Sequence, residues 1–186
     1  MSAISALALQ LCLVTGQRPG QVAGFAKTER YDGEWVLPAD RTKRGTAHVV
    51  PLTGLAIDIL DKAELITTLI DRQCDFEPSY YFPTRVLRDE LISRKSLEKA
   101  MGRLLECIGM RKAGPHDLRR TCNTNLAKLQ VRREIRDHVM NHASTGTNAR
   151  HYDVHDYIVE KRSALQQWEQ RLREIVDGVS SDTEAA

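Results

Sequence analysis

Apolar side chains recur at helical spacing along most of this chain, and one stretch near its first quarter changes to the alternation of strands. Ile4, Leu7, Ala8, Leu11 and Cys12 stand at i, i+3, i+4, i+7 and i+8, which predicts a helix over 2–15 packed on one side. Gly16 stops it, and Arg18-Pro19-Gly20-Gln21-Val22 reads as a tight turn into a short second helix with Pro19 near its first position. Trp35-Val36-Leu37 and Ala47-His48-Val49-Val50-Pro51-Leu52 read as two strands joined through 39–46, a hairpin with a basic tip. A third helix is predicted over 55–70, then a short buried strand around Tyr80-Tyr81-Phe82-Pro83. Ser96 reads as an N-cap, behind which Leu97, Ala100, Met101, Leu104, Leu105 and Ile108 form an apolar stripe that Gly109 closes. Leu118, Thr121, Cys122, Leu126 and Leu129 repeat the pattern in a helix opening at His116, whose polar face would carry His116, Arg119 and Arg120. A short helix over 133–140 precedes His142. Tyr157, Leu165, Trp168, Leu172, Ile175 and Val176 predict a long amphipathic helix over 157–176, followed by an acidic, small-residue tail, 179–186, expected to be disordered. The fold class is α+β, mostly helical with a small antiparallel β-sheet.

At 186 residues the chain suits one domain with a real core, assigned to 1–178. A hydrophobic fraction of 41% and a charged fraction of 28% are those of an ordinary soluble protein, and no apolar run reaches membrane-spanning length. The apolar start, 4–14, lacks a basic leader and a small-residue cleavage site, so a core helix is the better reading than a signal peptide. A net charge of +2 does not by itself mark a nucleic-acid binder; the cations are instead gathered in short clusters such as Arg41, Lys43 and Arg44. Four cysteines, Cys12, Cys74, Cys107 and Cys122, form no CxxC pair, and buried free thiols in a reducing compartment are expected.

Candidate chemistry concentrates in Gly114-Pro115-His116-Asp117-Leu118-Arg119-Arg120-Thr121, followed by Met140-Asn141-His142 and His151-Tyr152. His116 and Arg119 are three residues apart, about one helical turn, so a base and a fixed fork of donors share a face. That pairing suits a phosphodiester better than a carbonyl or a metal.

Read in order, Thr15-Gly16-Gln17-Arg18, Thr42-Lys43-Arg44-Gly45 in a hairpin, His116-Asp117-Leu118-Arg119, Asn141-His142 and Tyr152 resemble the catalytic domain of the tyrosine recombinases, the phage-integrase family. The resemblance covers nearly the whole chain and looks most like integrases of prophages and genomic islands. It implies that Tyr152 is the nucleophile, giving a 3′-phosphotyrosine and a free 5′-hydroxyl without metal or other cofactor. It also implies that His116 is the base and that Arg18 and Arg119 hold the non-bridging oxygens. Lys43 would be the general acid, and His142 would donate to the phosphate. A phenol with a pKa of about 10 is roughly 4 kcal/mol short of ionising at neutral pH, so a positive pocket and a base are needed. Gln21 stands where the family usually carries an acidic residue that buttresses the site.

The resemblance further implies double-stranded DNA attachment sites as partners, a homo-tetramer on DNA that is a monomer in isolation, and a C-terminal helix, 157–176, docking on a neighbouring protomer. No membrane is involved, and the expected location is the bacterial cytoplasm at the nucleoid. The core-binding domain that usually precedes this unit has no counterpart in these residues. Arg41, Arg44, Arg94, Lys95 and Arg120 are candidate DNA contacts, with Arg85 and Arg88 beside them. Two alternatives stay open: a catalytically silent DNA-binding module, favoured if Gln21 marks decay, and a zinc-dependent hydrolase using His138 with His142 or His151 with His155, each pair at i, i+4. Tyr157 competes with Tyr152 for the nucleophile, although its place at the start of an amphipathic pattern argues for packing.

Overall fold

In the computed structural model, residues 1–43, 45–71, 79–84, 90–142 and 157–178 are described. Helix α1 (Ala3–Thr15) begins at Ser2, whose hydroxyl accepts the Ser5 N–H, and ends at Gly16 in the left-handed conformation, φ +66°. It was expected to bury one side; Leu7, Ala8, Leu9, Leu11, Cys12 and Val14 are all buried instead. The reason is that α1 is central, with α2 (Pro19–Ala23), α3 (Gly54–Asp71), α4 (Arg94–Cys107), α5 (Pro115–Lys128) and α7 (Ile158–Val176) packed around it.

A three-stranded antiparallel sheet lies to one side, in the order β1 (Arg30–Tyr31), β2 (Glu34–Leu37), β3 (His48–Pro51). The β2–β3 hairpin is where the alternation placed it, in the register Trp35↔Val50 and Leu37↔His48, and these four side chains face the core. Strand β1 was not foreseen. Its signal was present as Asp32-Gly33, a two-residue loop with both φ positive (46° and 72°), the turn chemistry that closes a hairpin. Phe25 stacks on Trp35 with ring centroids 4.1 Å apart, and Tyr81 meets Phe25 edge-on at 5.0 Å. Tyr80 and Pro83 form isolated bridges to Ala26 and Leu91, where a strand was expected.

Helix α4 is capped by Ser93, not Ser96. The Ser93 hydroxyl accepts the Ser96 N–H at 3.1 Å, and an Arg94–Glu98 ion pair at i, i+4 reinforces the first turn. Its buried stripe is also narrower than predicted, since Leu104 and Ile108 are 38% and 54% exposed. Short α6 (Arg133–Val139) leads to Asn141, whose φ of +47° breaks the helix.

Helix α7 was expected to dock on a neighbour. Its apolar stripe, Ala164, Leu165, Trp168 and Leu172, is covered within the chain, against β3, α6, α5 and α1, and Trp168 Nε1 donates to the Leu13 carbonyl at 2.9 Å. The stripe therefore completes this chain's own core; Val159, Ile175 and Val176 are the large apolar side chains of α7 left exposed. Cys12 and Cys122 are buried, whereas Cys107 is exposed, contrary to expectation, because it lies on the last turn of α4 beyond the stripe; Cys74 is outside the described residues. No described helix is long and apolar enough to cross a membrane.

Candidate active site

The site is built where three chain turns meet. Arg18 precedes Pro19, which holds it in an extended conformation (φ −67°, ψ 138°) at the N-cap of α2. Before it, the sharp turn at Gly16 requires glycine twice over: φ is +66°, and a Cβ there would lie 2.7 Å from Met140 Cε and 2.9 Å from Cys122 Sγ. Between them Gln17 is wholly buried, its Nε2 donating to the carbonyls of Thr15 (3.0 Å) and Val139 (2.9 Å).

Arg119 was expected on the polar face of its helix. It points inward instead, only 4% exposed, on the buried side of α5 with Cys122 and Leu126. Nη1 donates to the Gly16 carbonyl at 2.8 Å and Nη2 to that of Met140, so one guanidinium ties the Arg18 turn to the Met140-Asn141-His142 turn. Burial first, and Arg18 next, pull its pKa down to about 10. Arg18 is half-buried and its pKa is also lowered by burial; its Nη1 is buried with no hydrogen-bond partner. Among the described residues no carboxylate pairs with either guanidinium. A partly buried pair of cations without an internal counter-ion is electrostatically costly until an anion arrives.

His116 stands in the first turn of α5, where Pro115 leads the helix and Asp117 Oδ2 accepts the Gly114 N–H at 2.8 Å. Its pKa is lowered by partial burial, then by Arg119 and Arg120. His142 places Nδ1 3.3 Å from Asp137 Oδ1, and its pKa is lowered by burial and Arg119 against the pull of Asp137. Burial thus lowers the pKa of both imidazoles, and the nearby guanidiniums, Arg119 foremost, lower them further. Arg18, Lys43 and His116 line one cleft of about 660 Å³, together with Arg41, Arg94 and Glu98. Tyr152, Arg44, Arg85 and Arg88 fall outside the described residues.

Residues 1–157 match the phage integrase family. The chain belongs to that family. Prophage integrase IntA of Escherichia coli (strain K12) is 25% identical over 159 residues, 84% of this chain and 36% of that protein. Among solved structures, a lambda integrase(75-356) dimer bound to a COC′ core site superposes with a TM-score of 0.61 at 21% identity, over 77% of this chain and 51% of the other. XerH site-specific recombinase bound to difH substrate gives 0.61 at 20% identity, over 100% and 49%. The chain thus spans about a third of its curated relative and half of the solved ones, and the solved structures establish the shared fold.

Other expected residues land differently for this integrase-family chain. Gln21 is buried; its Oε1 accepts the Arg18 N–H at 3.3 Å, while its Nε2 has no partner. It thus caps the turn that presents Arg18, in place of neutralising it. Arg41 lines the cleft but commits its guanidinium to Glu29 and the Gln21 carbonyl, so it is a strut and not a free cation. Arg120 pairs with Asp117 and Arg94 with Glu98, and Lys95 is exposed on the first turn of α4. Tyr157 stacks on His138 with centroids 4.1 Å apart and donates to Glu134 at 3.1 Å, the packing role its position suggested. The zinc spacing of His138 and His142 loses its meaning because α6 ends between them; His151 and His155 are outside the described residues.

His48 was missed. It is 7% exposed, lies against the Val139 backbone, and its Nε2 is buried without a partner. Burial, then Lys161, with lesser effects from Arg119 and Arg18, pushes its pKa down to about 3. The signal was the strand alternation itself, which puts His48 on the same inward face as Val50. Lys161 was missed too: it interrupts the α7 stripe, is buried, and donates Nζ to the Val49 carbonyl at 2.8 Å.

Proposed function

We propose that this chain is the catalytic domain, 1–178, of a site-specific DNA recombinase that integrates or excises DNA by transesterification. The observation that carries the reading is the pair of guanidiniums, Arg18 and Arg119, converging beside His116 and His142 with no carboxylate of their own among the described residues. Such a site accepts a phosphodiester, and the Arg18, Lys43 and His116 cleft gives it entry. The DNA-bound state of the lambda integrase and XerH relatives supports the same partner.

In the proposed reaction the Tyr152 phenol gives its proton to neutral His116 as its oxygen attacks phosphorus. The P–O5′ bond breaks, and the departing 5′-oxygen takes a proton from the Lys43 ammonium. Arg18 and Arg119 hold the non-bridging oxygens, where charge accumulates in the five-coordinate transition state, and His142 donates a hydrogen bond. The guanidiniums supply the positive charge that a metal ion supplies in other phosphoryl transferases. Because the phosphotyrosyl ester keeps the energy of the original diester, another 5′-hydroxyl can displace Tyr152 without ATP.

Double-stranded attachment sites are the proposed substrate, recombined by four copies on DNA from an isolated monomer, with Arg94, Lys95 and Arg120 as backbone contacts. Exchange between protomers would use the exposed end of α7. Such a protein works where the chromosome is, in the cytoplasm at the nucleoid.

The test is a nicked DNA duplex carrying the attachment core, incubated with the protein and resolved under denaturing conditions. A covalent protein–DNA band is expected for the wild type and none for Tyr152→Phe. A band that survives Tyr152→Phe, or that requires added zinc, overturns the reading. A silent module gives DNA retention and no band.

A further inference from the structure

We propose that Arg41 and Glu29 form a positioning bridge that sets the general acid Lys43, a reading that rests on the role given to Lys43 above. Lys43 is exposed and makes no hydrogen bond or ion pair among the described residues, so its place comes from the backbone that carries it. That backbone is a knotted turn. Thr42, buried at 7%, donates its hydroxyl to the Thr46 carbonyl (2.7 Å), with the Ala39 carbonyl 3.1 Å from the same oxygen, and accepts the Thr46 N–H at 3.2 Å. A knot is only as well placed as its root, and the root is Arg41.

The Arg41 guanidinium, in the wall of the cleft, is tied in two directions. Nη1 pairs with Glu29 Oε1, and Nη2 donates to the Gln21 carbonyl at 2.8 Å, on the helix that Arg18 opens. The other oxygen of Glu29, a carboxylate only 9% exposed, accepts Trp35 Nε1 at 2.9 Å, and Trp35 belongs to the strand leading into the hairpin. One buried carboxylate thus fixes the strand entering the hairpin and the residue that roots its tip. Through Gln21 the same guanidinium references Lys43 to the Arg18 turn. Gly24 makes room: a Cβ there would lie 2.8 Å from Arg41 Nη2. The bridge thereby couples the residue that protonates the leaving oxygen to the residue that holds the phosphate. Arg41 touches neither the phosphate nor the proton in flight; it acts through Lys43.

The bridge is tested by cleavage kinetics on two duplexes, one all-oxygen and one in which sulfur replaces the bridging 5′-oxygen at the scissile phosphate. Sulfur leaves without a proton donor, so it rescues any defect in Lys43 and no defect elsewhere. Arg41→Gln removes the fork; Gly24→Ala displaces the guanidinium while leaving Arg41 and Lys43 intact, and serves where Arg41→Gln does not fold. Both are expected to slow all-oxygen cleavage by about tenfold to a hundredfold, the cost of misplacing a reacting group by up to about 1 Å, and to come within about threefold of wild type on the sulfur substrate. Lys43→Ala should show the same rescue. If Lys43→Ala is rescued but the bridge variants are slowed equally on both substrates, or not slowed at all, the bridge is overturned alone. If Lys43→Ala is not rescued, the general-acid role falls and takes the bridge with it.

Discussion

Acidification should unfold this domain through His48. The imidazole has an ordinary value of 6.5 and is held at about 3 in the folded state, first by burial and then by Lys161. Above pH 6.5 both the folded and the unfolded chain keep it neutral, and it adds no pH dependence. Below that value the unfolded chain binds a proton that the folded chain refuses, so stability falls with pH until the folded group itself titrates near 3. At 1.36 kcal/mol per unit, the loss is about 2 kcal/mol between pH 7.5 and 5, growing to about 4 kcal/mol near pH 3. The control is His48→Asn, whose amide keeps a polar group against the Val139 backbone but does not titrate. Urea unfolding of both proteins at pH 7.5, 6.5, 5.5 and 5.0 isolates the effect, since every other titrating group is common to the two. The wild type is expected to lose about 2 kcal/mol more than the variant by pH 5. Parallel curves would refute the burial argument, because a histidine free to protonate in the folded state has no such linkage.

Gly16→Ala should cost about 2–5 kcal/mol in chemical denaturation, combining a left-handed conformation with the contacts to Met140 and Cys122; Met140→Ala should restore the packing share and not the backbone share. Arg119→Lys cannot fork onto both the Gly16 and Met140 carbonyls, and should slow cleavage by about a hundredfold or more, with about 1–3 kcal/mol lost on unfolding. Because burial first and Arg119 next lower the His116 pKa in the DNA-free protein, cleavage at sub-saturating DNA, which reports that state, should hold steady from pH 8 to 6.5 and fall only at lower pH.

Much of this fold was legible because burial follows periodicity. The β2–β3 hairpin and α3 through α7 stand close to the positions their apolar spacing predicted. Boundaries depended on single hydrogen bonds that composition does not rank: Ser93 and Ser96 are equally good caps by type, and only the geometry of the chain entering α4 selects Ser93. The site was legible as a set of residues and not as an arrangement. A guanidinium in an amphipathic helix reads as surface, and nothing local signals that Gly16 and Met140 offer carbonyls to a buried Arg119 from 103 and 21 residues away. Gln21 looked like a lost charge; its capping bond to Arg18 shows what an amide can still do there, while Glu29, between the first two motif boxes in sequence, supplies the carboxylate that anchors Arg41.

The central claim is that a tyrosine of this chain becomes esterified to DNA, and that it is Tyr152. Trypsin cuts after Arg150 and Lys161, so one peptide carries both Tyr152 and its rival Tyr157. Digesting the covalent adduct with nuclease and trypsin and fragmenting that peptide in a mass spectrometer locates the residual nucleotide. A phosphodiester-linked nucleotide on Tyr152 and an unmodified Tyr157 are expected; a nucleotide on Tyr157, on a histidine, or on no residue of the chain would contradict Tyr152 as the nucleophile.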